Sequence, residues 1–173
     1  MEYFVYGRDR AGADGLKGRL TEEHWAYMDG YGEQLIARGP TLTADREEST
    51  GSLHIVDLPD LEAAQRFAFE EPYYRAGAFE EVLLYGFRNL SRRTMWEFTD
   101  AVDTYSRFLV ITMGETEPVT SKHLIVYGDL LSLDGTERLG RAATVEAPNQ
   151  EAAAALLSSD LTEVHPWEFG GRR

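Results

Sequence analysis

The chain alternates between two kinds of hydrophobic pattern. YFVYG (Tyr3–Gly7) is rich in β-formers and predicts a strand. From Thr21 to Arg38 the pattern predicts a helix, with Thr21 as N-cap, Glu22 and Glu23 in the first turn and Gly39-Pro40 as its stop. A short strand is predicted around Thr41–Ala44 and a longer one over GSLHIVDL, Gly51–Leu58. The stretch Asp60–Glu70 places Leu61, Ala64, Phe67 and Ala68 on one stripe behind a capping Asp60, which predicts a second helix. AFEEVLLYGF, Ala78–Phe87, predicts the last long strand. Gly30 and Gly32 fall inside the first helical pattern and weaken it by about 1 kcal/mol each, marking a kink or a close approach to the sheet.

The order β-α-β-β-α-β is that of a ferredoxin-like unit, and the chain uses it twice. Shifted by 89 positions, Leu35–Glu71 aligns with Leu124–Asp160 without a gap, with about 12 of 37 positions identical. Gly39, Asp45, Gly51, Val56 and Pro59 meet Gly128, Asp134, Gly140, Val145 and Pro148. Glycine, proline and aspartate recur where backbone geometry constrains them. In the second copy RFLVITM (Arg107–Met113) opens as a strand, HLIVYG replaces the end of the first helix, AATVEA is the third strand and NQEAAAALLSS the second helix. The expected organisation is a unit over 1–90, a polar connector over 91–106 and an abbreviated unit over 107–173. A single open sheet with helices on one face leaves its other face bare. Two units cover each other's bare faces, so the expected class is α+β, two ferredoxin-like units forming a pseudo-dimeric αβ barrel.

Composition narrows the function. Hydrophobic residues make up 43% of the 173 and the net charge is -13. That charge sets aside nucleic-acid backbones and anionic membrane surfaces as partners. There is no cysteine, hence no disulfide and no thiolate chemistry. No apolar run approaches the ~20 residues of a membrane span, and MEYFVYG lacks the features of a signal peptide. The expected location is cytoplasmic. The four histidines, at 24, 54, 123 and 165, share no metal-ligand spacing. No metal site and no cofactor are expected.

The first half resembles the YCII-related family. The resemblance rests on EEHW at the first helix, ARGP after it, and the run from GSLHIVDLPDLEAAQ through EEPYYRAGAFEEVLLYGF. It covers residues 1–90 and reaches the second half only through the internal repeat. It implies a histidine early in the first helix, here His24, and an aspartate before the proline of a Pro-aromatic turn, here replaced by Glu71. It also implies small-molecule chemistry, since family members are linked to removal of a halide from hydroxylated aromatics. In the second half the position of His24 at constant offset is Met113, and Asp160 stands where Glu71 would. One complete constellation per chain is expected.

His24, third in its helix on this reading, sits where the helix dipole disfavours an imidazolium. Glu71 would receive its other N–H and stabilise the cation once formed; the two influences oppose each other. A surface histidine without catalytic purpose is the plain alternative. His54 lies in a strand, its side chain opposed to those of Leu53 and Ile55 and directed either into the barrel or toward the helices. Ser52 could donate to a bound oxygen or serve a turn, Arg8 could meet an anionic group or water, and Tyr73 and Tyr74 could wall a pocket or simply pack. The other acid pairs read as solvated helix ends and loops.

The expected function is a cofactor-independent enzyme acting on a small oxygenated or aromatic molecule by proton abstraction with elimination or isomerisation. His24 would be the base, Glu71 its orienter and the cleft between the sheets the pocket. Arg8, Ser52, His54 and Tyr73 are the substrate-binding candidates. A degenerate second half suits a larger or asymmetric substrate, compatible with tailoring in secondary metabolism. Two rival readings stand: a non-catalytic binding or assembly module, and a cofactor-free oxygenase of the same architecture. The acidic surface does not forbid a homodimer.

Overall fold

The computed structural model describes residues 1–157 and 161–171. Its elements run β1 (Glu2–Asp9), α1 (Asp14–Arg19), α2 (Thr21–Asp29), β2 (Leu35–Leu42), β3 (Ser49–Asp57), α3 (Leu61–Phe69), α4 (Pro72–Arg75) and β4 (Phe79–Asn89) in the first half. A short 3-10 turn, Met95–Glu97, follows in the connector. The second half holds β5 (Ser106–Met113), β6 (Leu124–Leu131), β7 (Arg138–Ala147), α5 (Gln150–Leu156) and β8 (Thr162–Pro166). The eight strands lie in the order β2-β3-β1-β4-β6-β7-β5-β8. Each half has the same internal order and every strand pair is antiparallel. The class is α+β, two ferredoxin-like sheets closed into one αβ barrel.

Two seams close it. At one, Gly86–Asn89 of β4 pair with Leu131–Gly128 of β6. At the other, Thr41 of β2 bridges Trp167 just after β8. The chain then continues along β2, with the Glu168 amide donating to Pro40 O (3.4 Å) and the Gly170 amide to Arg38 O (3.1 Å). Close approach at this seam needs glycine on both sides. A Cβ on Gly39 would stand 1.9 Å from Glu168 O, and one on Gly170 would stand 2.6 Å from Gly39 Cα. This short contact covers part of the β2 edge.

The barrel interior is a packed core, where alternate residues of the first half meet those of the second. Phe4, Tyr6, Leu53 and Ile55 share one buried cluster with Leu109, Ile111, Ile125, Ala142, Met95 and Trp167. Other cores lie outside the barrel, between sheet and helices. Tyr3, Val5, Val56, Phe67 and Met28 form one in the first half; Phe108, Val110, Val145 and Ala153 form one in the second. Among the described residues the space between the sheets is therefore filled by this core, and the cleft described below lies outside it.

Correspondences at 89 positions run through the architecture. Strands β2 and β6 are each eight residues and break register at matching places, between Leu35 and Ala37 and between Leu124 and Val126. Asp60 and Asn149 cap α3 and α5 by accepting from the amides of Ala63 and Ala152, each at 2.8 Å.

Three local expectations are corrected. The helix from Thr21 ends at Asp29, and Leu35–Leu42 is a strand rather than its continuation. The break comes at Gly30–Gly32, where the chain turns, while Gly39-Pro40 lies inside β2 on the seam. A proline fits there because β2 has a full ladder only on its β3 side. In the second half HLIVYG is likewise a strand, β6, and the first helix is absent. Met113 ends strand β5, so it is no counterpart of His24. Asp160 lies outside the described residues. Finally, Thr21 does not cap α2. Helix α1 leads straight into it, Leu20 is the N-cap, and Thr21 Oγ1 donates back to Lys17 O at 3.0 Å. His24 is thus the fourth helical residue, its amide bonded to Leu20 O at 2.9 Å.

Candidate active site

The site lies on the outer face of the first half's sheet. Strand periodicity sends Ser52, His54 and Val56 of β3 to this face and Leu53 and Ile55 into the barrel. Neighbouring β2 adds Arg38, paired with His54. Helices α1, α2 and α4 stand over this face. Between them lies a partly open cleft of about 450 Å³, lined among others by Lys17, His24, Trp25, Arg38, Ser52, His54 and Tyr73.

His24 and Glu71 meet here. His24 Nδ1 is 2.9 Å from Glu71 Oε2, and both side chains are buried. Glu71 is placed by its own helix. It is the N-cap of α4, where Oε1 accepts from the Tyr74 amide (2.8 Å) and Oε2 from the Tyr73 amide (3.1 Å). Pro72 at the first helical position fixes the entry of this short helix. The carboxylate is therefore an acceptor in every contact, so the proton on the shared line belongs to His24 Nδ1. The imidazole, which lines the cleft, is then left with Nε2 as its acceptor nitrogen. Its ring lies on Tyr73 with centroids 4.0 Å apart and planes 10° from parallel.

His54 presents an edge to His24 at 5.4 Å and to Phe67 at 5.6 Å. Burial holds its pKa well below the ordinary 6.5, and the nearby His24, Arg38 and Lys17 push the same way. It is a neutral ring in the wall. Tyr73 is raised above 10.0, chiefly by burial, so it stays a phenol.

Beside the histidines lies a polar cluster that the sequence did not reveal. Lys17 is only 6% exposed. Its Nζ donates to Asp9 Oδ1 (2.9 Å), Ser49 Oγ (2.6 Å) and Ser52 Oγ (3.0 Å). Burial lowers its pKa and Asp9 opposes that shift. Nothing in the residue pattern marks one lysine of an exposed-looking stretch as buried; that depends on α1, which carries no periodic signal. Arg38, 2% exposed, also reaches the cleft, with Nη1 3.9 Å from Asp29 Oδ1.

Of the expected binding residues, Ser52, His54 and Tyr73 line the cleft. Arg8 does not, and that expectation is corrected. It lies on the barrel side of β1 above the Tyr6 ring, and its guanidinium is committed to Glu163 of β8 and to Glu81. Even-numbered positions of β1 face the barrel, so Arg8 could not join the histidines on the opposite face. Exposed Tyr74 packs its edge against Phe69, away from His24.

Among the described residues the second half contributes a wall but no counterpart of the His24–Glu71 pair at the repeat positions; its own pair, His123 Nδ1 to Glu146 Oε1 at 2.9 Å, does not line the cleft. Glu168, Phe169, Gly170 and Gly171 line the cleft from the β2 seam. In its own half, Ala143 stands at the position of His54 and Arg141 at that of Ser52. Arg141 is committed to Asp129 (3.0 Å) and to Thr116 of the loop that replaces the helices. Among the described residues no cluster of three or more His, Asp or Glu is arranged to hold a metal ion, and no helix is long and apolar enough to cross a membrane.

Comparison with known proteins agrees with the architecture. The family model for the YCII-related domain matches residues 1–88. Protein YciI of Escherichia coli O6:H1 is 32% identical over 99 residues, covering 52% of this chain and 99% of that protein. The same figures hold for Protein YciI of Shigella flexneri. Among solved structures, 5-chloro-2-hydroxyhydroquinone dehydrochlorinase of Burkholderia phenoliruptrix AC1100, in complex with 2,5-dihydroxybenzoquinone, superposes with a TM-score of 0.50 at 24% identity. The match covers 54% of this chain and 99% of that one.

Proposed function

The chain belongs to the YCII-related domain family, and on that premise we propose that it is a cofactor-independent enzyme acting on a small oxygenated or aromatic molecule by proton abstraction. One observation carries the proposal: a buried His24–Glu71 pair, joined at 2.9 Å, whose imidazole borders a cleft of ligand size. His24 Nε2 takes a proton from an acidic carbon or oxygen of the substrate. Glu71 holds the Nδ1–H tautomer and stabilises the imidazolium. The electron pair released by the proton forms a new double bond. Either a leaving group on the neighbouring carbon departs with its bonding pair, or the proton returns elsewhere. The first is elimination, the second isomerisation.

We read the chain as two copies of one unit, 1–90 and 107–173, joined by 91–106, with chemistry in the first and a wall from the second. A binding module without chemistry draws on one observation: both carboxylate oxygens of Glu71 already cap α4, which accounts for this residue without catalysis.

The test is a turnover screen. The dehydrochlorinase of similar fold suggests the first compounds, halogenated hydroxyhydroquinones, followed by hydroxylated aromatics without halogen. Halide release and mass change are read for wild type and His24→Ala. Product from wild type alone supports the enzyme. Binding without product in both moves the chain to the binding-module reading.

A further inference from the structure

We propose that Ser52 is the oxygen-binding donor of this cleft, its hydroxyl oriented by Lys17, and that the ligand therefore carries a carbonyl or phenolic oxygen whose negative charge grows as the proton leaves. The proposal rests on the proton-abstraction reading and names the substrate class for that site.

It follows from counting donors and acceptors. Lys17 Nζ is all donor, with three hydrogens for the Asp9 carboxylate (2.9 and 3.1 Å), Ser49 Oγ (2.6 Å) and Ser52 Oγ (3.0 Å), while Gly51 O at 3.4 Å is the most distant acceptor. Ser52 Oγ is thereby an acceptor from an ammonium, which leaves its own O–H to be given away. Among the described residues that proton meets no acceptor. Ser49 differs: its hydroxyl also takes a hydrogen from Lys17 (2.6 Å) but gives its own to Asp9 Oδ2 (2.8 Å). Ser52 is 7% exposed and lines the cleft. A buried hydroxyl with an unspent proton is costly unless something accepts it. The cleft is where an acceptor can sit.

The chemistry fits the neighbouring base. Ser52 and His54 are two residues apart on one face of β3, and His24 touches His54. A planar ligand can place its acidic C–H at His24 Nε2 and its oxygen at Ser52. As the proton moves to His24, the C–H electron pair moves into the conjugated system and the charge arrives on that oxygen. Ser52 strengthens its hydrogen bond without giving up its proton. Lys17, hydrogen-bonded to Ser52 and anchored by Asp9, is assigned as a positioning residue that polarises the hydroxyl. Asp9 holds Lys17 in place. Donors aimed at the atom where charge develops are the usual means of stabilising such a transition state.

The experiment uses 4-nitrophenol as probe, because its phenolate has a visible absorption band. Wild type is titrated with it at a pH where the free probe is partly ionised, and affinity and the phenolate fraction of the bound probe are read together. Wild type should bind and shift the bound probe toward phenolate. Ser52→Ala should weaken binding by about tenfold or more, as for loss of a hydrogen bond to a charged oxygen, and abolish the shift. Ser52→Thr, which keeps the hydroxyl, should restore both. Lys17→Met combined with Asp9→Asn, so that neither charge is stranded, should keep binding but shrink the shift. Failure of wild type to bind, or equal affinity and spectra for wild type and Ser52→Ala, would overturn the proposal. Neither result touches the role of His24, which is read separately by product formation.

Discussion

The imidazole of His24 lies flat on the ring of Tyr73, with 4.0 Å between centroids and 10° between planes. Tyr73 is also the residue whose amide donates to Glu71 Oε2. One short helix, α4, therefore places both the ring that His24 rests on and the carboxylate that it faces. The imidazole is held on two sides by four consecutive residues, Glu71 to Tyr74, rather than by a distant scaffold.

Glu71 thus has two separable tasks. Glu71→Ala removes the cap of α4, about 1 kcal/mol, and strands His24 Nδ1, about 1–3 kcal/mol. Urea unfolding should show a loss of about 2–4 kcal/mol. Glu71→Asp should keep the cap and most of the stability while withdrawing the carboxylate from His24, so that turnover falls at least about tenfold. If Glu71→Asp instead loses stability like Ala and keeps full turnover, the division of tasks is wrong.

His54 makes the fold sensitive to acid. Its folded pKa lies well below 6.5 because burial disfavours the charged ring. Above 6.5 the ring is neutral in both folded and unfolded chains. As pH falls through 6.5 the unfolded chain takes the proton first, so this contribution declines until the folded pKa is reached. The slope from this residue is at most about 1.4 kcal/mol per pH unit. His54→Phe should flatten the stability profile below pH 6.5 relative to wild type. Parallel profiles would count against a neutral His54.

The second half's tail should matter to ligands of the first half. A Cβ at Gly170 would meet Gly39 Cα at 2.6 Å and Pro40 Cδ at 2.8 Å. Gly170→Val must therefore lift residues 168–171 off β2, at a cost of about 1–3 kcal/mol. Isothermal titration with the best cleft ligand should show weaker binding than wild type. Unchanged affinity in a destabilised protein would mean that this segment closes the barrel but does not shape the cleft.

Arg8 should be irrelevant to the cleft. Its pairing with Glu163 and Glu81 ties β1 to β8 and β4, and all three groups are partly exposed. Arg8→Met should cost no more than about 1 kcal/mol and leave ligand affinity as in wild type. A drop in affinity larger than the stability loss would return Arg8 to the site.

The α+β class was legible in the sequence, and strands and caps of the two halves recur at the 89-residue spacing of the turn residues. The sequence also made His24, Glu71, Ser52, His54 and Tyr73 legible as candidates. The strand β2 is not legible, because a glycine-proline step resembles a helix stop as much as a seam. The correction was latent in the repeat, where Leu35-Ile36 aligns with the β-forming Leu124-Ile125-Val126. Glu71-Pro72 also carried an unread signal, an acidic cap followed by proline at the first helical position. Lys17 and the wall from the second half were beyond reach. Burial of a lysine and closure of a barrel are tertiary facts, set by what packs over a segment rather than by the segment itself.

The most direct measurement is hydrogen exchange into a bound carbon acid. A hydroxylated quinone with a ring C–H is incubated in deuterium oxide with wild type or His24→Ala, and the loss of its proton NMR signal is followed alongside affinity. Catalysed exchange by wild type, and none above background by a His24→Ala protein that binds equally well, is the predicted result. Exchange at the wild-type rate in His24→Ala would contradict the account, because the proton would then leave without the residue assigned to take it.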